Sequence, residues 1–330
     1  MDAKGYHEPV LAAEIPDLLV RMPGVYVDGT LGGGGHSRTI LEELFRKGFG
    51  GQSLLIGIDQ DDRALEAARK RLALCEGNIV LVKGNFGDLR SIVLRVCRDR
   101  RMAPSVAGIL LDLGVSSAQI DSPERGFSYL QHGPLDMRMD PEAARSAADI
   151  VNTMNERELA NLFFRYGEEP RSRSIARDIV EYRDRQGPIL RTETLAGLIR
   201  QREPRPDRVI RTLSRIFQAV RIEVNHELDV LAGALEESAS MLIPGGRLAI
   251  ISYHSLEDRM VKCFFADRAR SDWGPRGVGL REPVRKAEFR VVTRKPVTAG
   301  AQEISSNPRA RSARLRILEK LAEGEAVDLT

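Results

Sequence analysis

The feature that most constrains the fold is a short β-branched run that ends in an acid and continues into a cluster of glycines. Val25–Asp28 has the composition of a buried strand, five of residues 29–35 are glycine, and Ile40, Leu41 and Leu44 then follow a helical spacing. Glycine lacks a Cβ, so it permits positive φ and lets backbone amides approach a ligand. The stretch predicts a strand, a tight turn and a helix, built either around a nucleotide-like cofactor or merely as a tight turn.

Three further strand-like runs alternate with helical patterns in the first third of the chain. The runs are Ser53–Asp59, Asn78–Val82 and Val106–Leu111, and the helical patterns between them cover Asp62–Leu74 and Ser91–Arg98. Near-continuous apolar runs separated by helices predict a mostly parallel sheet that is covered on both faces. In such an α/β sheet the ligand crevice lies beyond the carboxyl ends of the strands.

The alternation stops near residue 120, where a helical region begins. Ser122–Asp140 is rich in Gly and Pro and predicts an irregular loop. Asn155 and Glu158 form a capping-box pattern, Gly167 stands where the C-terminal cap beyond that helix would lie, and two more helices are predicted over Ser174–Gln186 and Thr192–Arg202. This stretch is too long for an ordinary crossover. We therefore predict an inserted helical domain over 121–215, to which the resemblance described below assigns substrate recognition, and an α/β domain formed by 1–120 and 216–330.

The α/β pattern resumes after the insertion. Ile222–Leu242 has the pattern of one long amphipathic helix, and Pro244–Gly246 turns the chain into a strand over Arg247–Tyr253. Leu256–Ala266 is helical in pattern. Phe289–Val292 and Ala313–Leu318 are predicted to form a hairpin-like pair of strands with a long connection.

Positive charge is concentrated in two windows of the chain. The net charge is only +3, yet Pro170–Arg221 contains 13 Arg against 6 acids, and Arg281–Lys320 contains 11 Lys and Arg against 4 acids. Each window therefore has a net charge of +7, and the rest of the chain is acidic. Two basic regions on an acidic body favour a polyanionic partner, most simply nucleic acid. Ordinary solvated helix faces are the alternative.

Composition also bears on location. The sequence has no run of about 20 apolar residues, so no membrane partner is expected. Residues 1–7 lack the basic and apolar regions of a signal peptide, and Cys75, Cys97 and Cys263 are widely separated without a CxxC motif. These features favour reduced thiols in a cytoplasmic protein. The spacing of the five histidines does not suggest a metal site, and we expect none.

Three predicted strands end in an aspartate, which favours a cationic cofactor. Asp28, Asp59 and Asp112 would meet at one edge of a parallel sheet, and a carboxylate after the second strand suits ribose hydroxyls. A dinucleotide would place its pyrophosphate on the glycine turn, where Asp28 would repel it. S-adenosylmethionine (SAM) carries a sulfonium and an ammonium, which Asp28 would attract. Phe86 could cover an adenine face or be a core phenylalanine.

Several motifs, spread over nearly the whole chain, carry a specific resemblance. They are Tyr6–Val10, Asp28–Thr30 with Gly34–Ser37, Leu111–Ser117, Glu124–Ser128, Gly133–Asp140, Phe217–Ala219 with Arg221–Ile222, Asn225 and Glu227–Leu228, Ser252–Arg259, and Asn307–Ala313. On these residues the chain resembles the bacterial 16S rRNA (cytosine-N4)-methyltransferase family, RsmH or MraW. Three departures are visible: Ala118 where the family usually has Pro, His132 where it often has Asp, and Arg211–Arg215 in place of a His-Pro-Ala-Thr-Arg run.

The resemblance implies an α/β class I SAM-dependent methyltransferase fold, Rossmann-like, with an inserted all-helical domain. It implies methyl transfer from SAM to N4 of a cytidine in the decoding region of 16S rRNA. The SAM contacts that it implies are Gly34, Gly35, His36, Asp59, Phe86, Asp112 and Gln119. Asp112 and Ser116 are the catalytic candidates, with Tyr129 and His254 behind them. The expected partner is 16S rRNA in the small ribosomal subunit, and a homodimer is an open expectation.

Three other functions stay open on the sequence alone. The first is a SAM-dependent methyltransferase that acts on another RNA, a protein or a small molecule. The second is a ribosome-assembly factor that binds RNA without catalysis. The third is an NAD-dependent dehydrogenase, which titration with NADH against SAM would separate from a methyltransferase.

Overall fold

The computed structural model describes residues 9–203, 205–274 and 282–322, so Tyr6–Glu8 of the first motif lie outside the described residues. The chain divides into two compact units, Met1–Gly114 with Val230–Thr330, and Val115–Asp229. The boundaries predicted from the sequence, 121 and 215, fall inside the second unit. Among the described helices, none is long and apolar enough to cross a bilayer.

The first unit contains a seven-stranded sheet. The strands are β1 Val25–Asp28, β2 Leu54–Asp59, β3 Ile79–Lys83, β4 Val106–Asp112, β5 Leu242–Ser252, β6 Phe289–Val291 and β7 Arg314–Lys320. They lie in the order β3-β2-β1-β4-β5-β7-β6. β1 to β5 run parallel to one another, whereas β7 lies antiparallel between β5 and β6. The predicted mostly parallel sheet and its hairpin-like final pair are therefore confirmed.

Helices cover both faces of this sheet because successive side chains of each strand point to opposite sides. The helices of the unit are α1 Glu14–Leu19, α2 Gly35–Arg46, α3 Asp62–Arg71, α4 Leu89–Asp99, α11 Glu227–Met241, α12 Ser255–Arg268 and α13 Ala301–Ser306, where α11 begins just before the unit boundary. Val25 and Val27 pack in one apolar cluster with α4, α11 and α12, and Tyr26 packs in the opposite cluster with α1, α2 and α3.

The second unit is helical and has its own apolar core. Its helices are α5 Ser117–Asp121, α6 Ala147–Thr153, α7 Glu156–Gly167, α8 Ser172–Gln186, α9 Thr192–Arg202 and α10 Pro206–Asn225. The core joins α6 to α10 with Leu135 and Met137 of the predicted irregular loop. Asn225 holds this loop, since its side chain accepts from the Met139 amide at 2.7 Å and donates to the Met137 carbonyl at 2.8 Å.

Two details of the helical predictions are wrong. Ile222–Leu242 is not one helix, because α10 ends at Asn225 and His226 adopts a left-handed conformation with φ +50° before α11 begins. Gly167 is not the residue beyond α7 but its last residue, and Glu168 adopts the left-handed conformation instead. Close packing accounts for this glycine, because a Cβ there would lie 2.7 Å from the Arg215 carbonyl oxygen.

The path into the fifth strand also differs from the prediction. β5 begins at Leu242, and Pro244–Gly246 lies within the strand instead of forming a separate turn before it. The register with β4 shifts between Val106 and Gly108, where the extra residues of β5 are accommodated. Gly245 has φ +79°, a conformation that glycine adopts with little strain.

Candidate active site

The end of β1 places a buried carboxylate beneath the glycine turn. The Ser37 hydroxyl donates to Asp28 Oδ2 at 2.7 Å, and the Thr30 amide donates to Asp28 Oδ1 at 3.3 Å. Burial raises the pKa of Asp28, while the His36 imidazole and the Ser37 hydroxyl act in the opposite direction. A buried carboxylate beside the first turn of α2 is well placed to bind a cationic ligand. Burial disfavours the ionised form of the acid, and a nearby positive charge stabilises that form.

Asp59, at the end of β2, fixes the conformation of the glycine turn. Its Oδ2 accepts from the Gly32 amide at 2.8 Å, and its Oδ1 accepts from the Asp61 amide at 2.9 Å. Burial is the largest influence on this carboxyl and raises its pKa to about 6, with the carboxylates of Asp61 and Asp28 acting in the same direction. Asp59 is therefore both a structural acceptor and a site of concentrated negative charge.

The glycines of the turn are needed for close packing. Gly34 has φ +75°, and a Cβ there would lie 2.9 Å from Leu72 Cδ1. At Gly29 a Cβ would lie 2.4 Å from Leu111 Cδ2. Gly35 is the first residue of α2, and a Cβ on it would meet Pro9 at 3.1 Å. The Gly29 and Gly34 amides donate to protein carbonyls, so these two amides are not the groups that would bind a ligand.

Asp112, at the end of β4, is held at both its backbone and its side chain. Its amide donates to Thr30 Oγ1 at 2.6 Å, and its Oδ1 accepts from the Tyr253 hydroxyl at 2.8 Å. The side chain of Asp112 is 25% exposed. Its carboxylate also acts on Asp28, raising the pKa of that buried acid. Asp28 and Asp112 thus act on each other electrostatically at the carboxyl edge of the sheet.

His36 is the polar side chain at this edge that most needs a further partner. It is 6% exposed, and neither of its ring nitrogens has a hydrogen bond with a described residue. Nε2 lies 3.6 Å from Asp112 Oδ2, which is too long for a good hydrogen bond. Because buried polar groups are normally satisfied, the unpaired nitrogens indicate that a ligand belongs beside them.

Phe86 follows β3 in a short 3₁₀ turn over Phe86–Asp88. Its side chain is partly buried and packs against one of the two apolar clusters of the sheet, next to the position where a Cβ of Gly29 would lie. Asn85 stabilises the turn by accepting from the Gly87 amide at 2.8 Å, and it donates to Gln60 Oε1 at 3.1 Å. Phe86 therefore packs against the core of the sheet, and its residual exposure is compatible with a second role in covering a base.

Ser116 and Gln119 lie in the second unit, where each has a helix-capping role. The Ser116 hydroxyl accepts from the Gln119 amide at 3.2 Å, and Gln119 Oε1 accepts from the Ser116 amide at 2.9 Å. This reciprocal capping box begins α5. In the same unit, Tyr129 and Ser214 hydrogen-bond through their hydroxyls at 2.9 Å. His254 belongs to the first unit and caps α12.

Comparison with known proteins gives the context for this geometry. The sequence profile of the MraW methylase family matches residues 4–321. The chain belongs to the MraW methylase family. Curated relatives called "Ribosomal RNA small subunit methyltransferase H" are similar over almost their whole length. The one from Chlorobium limicola is 69% identical and aligns over 98% of this chain and 100% of its own. The one from Chlorobium phaeobacteroides is 60% identical and aligns over 98% of this chain and 98% of its own. The one from Pelodictyon phaeoclathratiforme is also 60% identical and aligns over 97% of this chain and 96% of its own.

Membership of the MraW methylase family identifies the fold as class I methyltransferase, as predicted, and S-adenosylmethionine as the cofactor. The residues at the edge of the sheet fit this cofactor. Three carboxylates, Asp28, Asp59 and Asp112, suit its two positive charges, and the unpaired nitrogens of His36 suit a polar ligand. The placement of the individual SAM contacts, Gln119 included, stays a prediction.

Sequence reasoning missed three residues of this site in the MraW methylase chain. Tyr253 binds Asp112, Thr30 accepts from the Asp112 amide, and Ser37 donates to Asp28. A usable signal existed for Tyr253, which ends a predicted strand just as the aspartates end theirs. Thr30 and Ser37 gave no such signal, because hydroxyl residues in a glycine turn are equally common as turn formers.

Proposed function

We propose that this methylase transfers a methyl group from SAM to the exocyclic N4 of a cytidine in the decoding region of 16S rRNA. The observation that carries the proposal is the arrangement at the carboxyl edge, where Asp112 lies half-buried between His36 and Tyr253. The ribosomal RNA activity named for the Chlorobium relatives supports the substrate class. The exact base follows from the resemblance to the cytosine-N4 family.

The chemistry requires alignment and a proton acceptor. When bound, SAM supplies an activated methyl group on a sulfonium centre. The cytosine amine is a poor nucleophile because its lone pair is delocalised into the ring, so a group that accepts one of its hydrogens increases its reactivity. We assign that role to the Asp112 carboxylate, which is partly exposed and lies beside His36 and Tyr253. As the amine nitrogen bonds to the methyl carbon, the electron pair of the sulfur–methyl bond would stay on sulfur, and Asp112 would accept one N–H proton of the amine, as in general base catalysis.

The target base has to leave its stack, and the RNA backbone has to be held. Bases that undergo chemistry are commonly extruded into a pocket, and we place cytosine over Asp112. The two basic windows differ in how much of their positive charge is paired with carboxylates. In the C-terminal window Arg314 and Arg316 both pair with Asp258, and Arg290 pairs with Glu319, which also binds Arg247 of β5. Part of the positive charge of the C-terminal window therefore has a structural role in ion pairs within the protein.

The window in the helical unit keeps more uncompensated charge. Several of its arginines are paired with carboxylates, for example Arg221 with Glu227. By contrast, six exposed arginines have no ion pair with a described residue, namely Arg173, Arg185, Arg200, Arg205, Arg208 and Arg211. Arg208 and Arg211 are three residues apart on α10 and therefore share one face. We propose that this face contacts RNA phosphates, with an affinity that falls steeply with salt.

A transfer experiment tests the proposed function. Purified small ribosomal subunits from a strain that lacks this enzyme are incubated with the protein and tritium-labelled SAM, and the RNA is digested to nucleosides. We expect label only in N4-methylcytidine. Label in protein, in a small molecule or at another base would contradict the substrate assignment, and the absence of SAM binding by calorimetry would contradict the cofactor site.

Two finer expectations are part of the same proposal. We expect the protein to act in the cytoplasm, where its ribosomal substrate is assembled. A homodimer stays a prediction, and light scattering at several protein concentrations decides between one and two copies.

A further inference from the structure

Tyr253 joins the ends of two neighbouring strands at the candidate active site. It directly follows β5, which pairs with β4 so that Ile251 lies opposite Asp112. From there its hydroxyl donates to Asp112 Oδ1 at 2.8 Å. The other carboxylate oxygen, Oδ2, is the one that lies 3.6 Å from His36 Nε2. The two oxygens of Asp112 therefore have different surroundings.

The position of the phenol is fixed by the structure around it. The ring packs against the apolar cluster that contains Ile251, and a Cβ on Gly114 would lie 3.7 Å from its Cδ2. The Tyr253 amide donates to Oε2 of the buried Glu257 at 2.9 Å. A side chain held at both its ring and its backbone can position a catalytic group accurately, because its own conformation is locked by packing.

Tyr253 is also suited to remain a hydrogen-bond donor. Burial, followed by the neighbouring Asp112 carboxylate, raises the pKa of Tyr253 well above its ordinary value. The phenol therefore keeps its proton at neutral pH. A protonated donor beside a carboxylate forms a charge-assisted hydrogen bond, which is stronger than a bond between neutral groups.

We propose that Tyr253 is a positioning residue that holds the Asp112 carboxylate with Oδ1 occupied and Oδ2 directed to the substrate amine. This inference rests on the proposed function, since it specifies how Asp112 is prepared to accept the proton. Without the phenol the Asp112 carboxylate can rotate. It then presents Oδ2 to the substrate amine in only some of its orientations. A small misplacement of a catalytic group is sufficient to lower the rate strongly.

The test is a double-mutant cycle with Tyr253→Phe and Asp112→Asn, measured as kcat for methyl transfer to small subunits at saturating SAM. Tyr253→Phe keeps the ring and removes only the hydroxyl. We expect it to lower kcat about tenfold, the loss of one hydrogen bond to a charged group. In the Asp112→Asn background the same change is expected to have almost no further effect, because the phenol acts through the carboxylate.

Tyr26→Phe is the matched control. The Tyr26 hydroxyl is in the buried part of β1 and donates to the Met22 carbonyl at 2.6 Å. Its removal deletes a phenol hydrogen bond, here to a neutral acceptor, at another position of the sheet, and we expect an unchanged kcat. Circular dichroism of each variant checks that the fold is retained.

Two results would overturn the role of Tyr253. One is a wild-type kcat in Tyr253→Phe, and the other is an equal loss in the presence and absence of the Asp112 carboxylate. A wild-type protein that methylates no RNA would instead contradict the proposed function. In that case the cycle is measured on the dissociation constant of SAM, where a lack of coupling between the two residues would again overturn the inference.

Discussion

Asp59 gives the sharpest prediction, because its ionised carboxylate lowers the unfolding free energy of the SAM-free protein at neutral pH. Burial raises its pKa from 3.8 to about 6. At about 1.4 kcal/mol per pKa unit, this difference corresponds to about 3 kcal/mol of unfolding free energy at pH 7.5. The sign follows from proton binding. Between pH 3.8 and 6 the folded state holds more protons than the unfolded state, so stability rises as the pH falls through this range.

The prediction concerns how Asp59→Asn changes the pH dependence of stability. From the two pKa values, the wild type should gain about 1.4 kcal/mol relative to the variant when the pH is lowered from 7.5 to 5. Urea unfolding of the SAM-free protein, followed by circular dichroism at both pH values, measures this difference. Asp62→Asn is the control, since Asp62 is exposed and pairs only with Lys83 at the surface among described residues.

The same carboxylate should bind cationic SAM only when ionised. We therefore expect the affinity of the wild type for SAM to fall as the pH drops below about 6, and the affinity of Asp59→Asn to be lower and to fall less over that range. Parallel stability curves for wild type and variant between pH 5 and 7.5 would refute the reasoning. Unchanged SAM binding by the variant would refute the assignment of Asp59 to the cofactor site.

Three further predictions concern packing, buried charge and RNA. Gly34→Ala should lower the unfolding free energy by about 1 kcal/mol more than Gly48→Ala, because both have φ near +75° but only at Gly34 would the new Cβ clash; urea titration compares them. Arg316→Met should lower the unfolding free energy by about 3 kcal/mol because it leaves the buried Asp258 carboxylate without its main partner. Arg314→Met, at a half-exposed position, should lower it by less than about 1 kcal/mol in the same assay. Arg211→Ala should weaken RNA binding and reduce the slope of log affinity against log salt by about one, with an unchanged slope counting against a phosphate contact.

The sequence was informative where local chemistry repeats a simple pattern. Apolar runs that end in Asp28, Asp59 and Asp112 predicted both the parallel strands and the edge where the acids meet. Parallel pairing places the ends of such strands together without any knowledge of distant contacts. The capping box at Asn155 and Glu158 was equally local and is confirmed.

What the sequence could not provide depends on contacts between distant segments. The break between α10 and α11 at His226 occurs in a continuous amphipathic pattern, where the Asn225 side chain is bound to Met137 of a loop far away in the chain. The contact of Tyr253 with Asp112 spans 141 residues. The function of Gly34 was also ambiguous, because glycine is used both for close packing and for ligand approach, and only the position of Leu72 shows the packing role.

The most direct test of the central claim is the rate of a single turnover by Asp112→Asn, with SAM and small subunits both saturating. Asparagine keeps the shape of the side chain but cannot take up the proton of the cytosine amine. We expect N4-methylcytidine to form at least about 100 times more slowly than with the wild type, the usual contribution of a general base. Formation at the wild-type rate would show that the carboxylate at the end of β4 is not the proton acceptor.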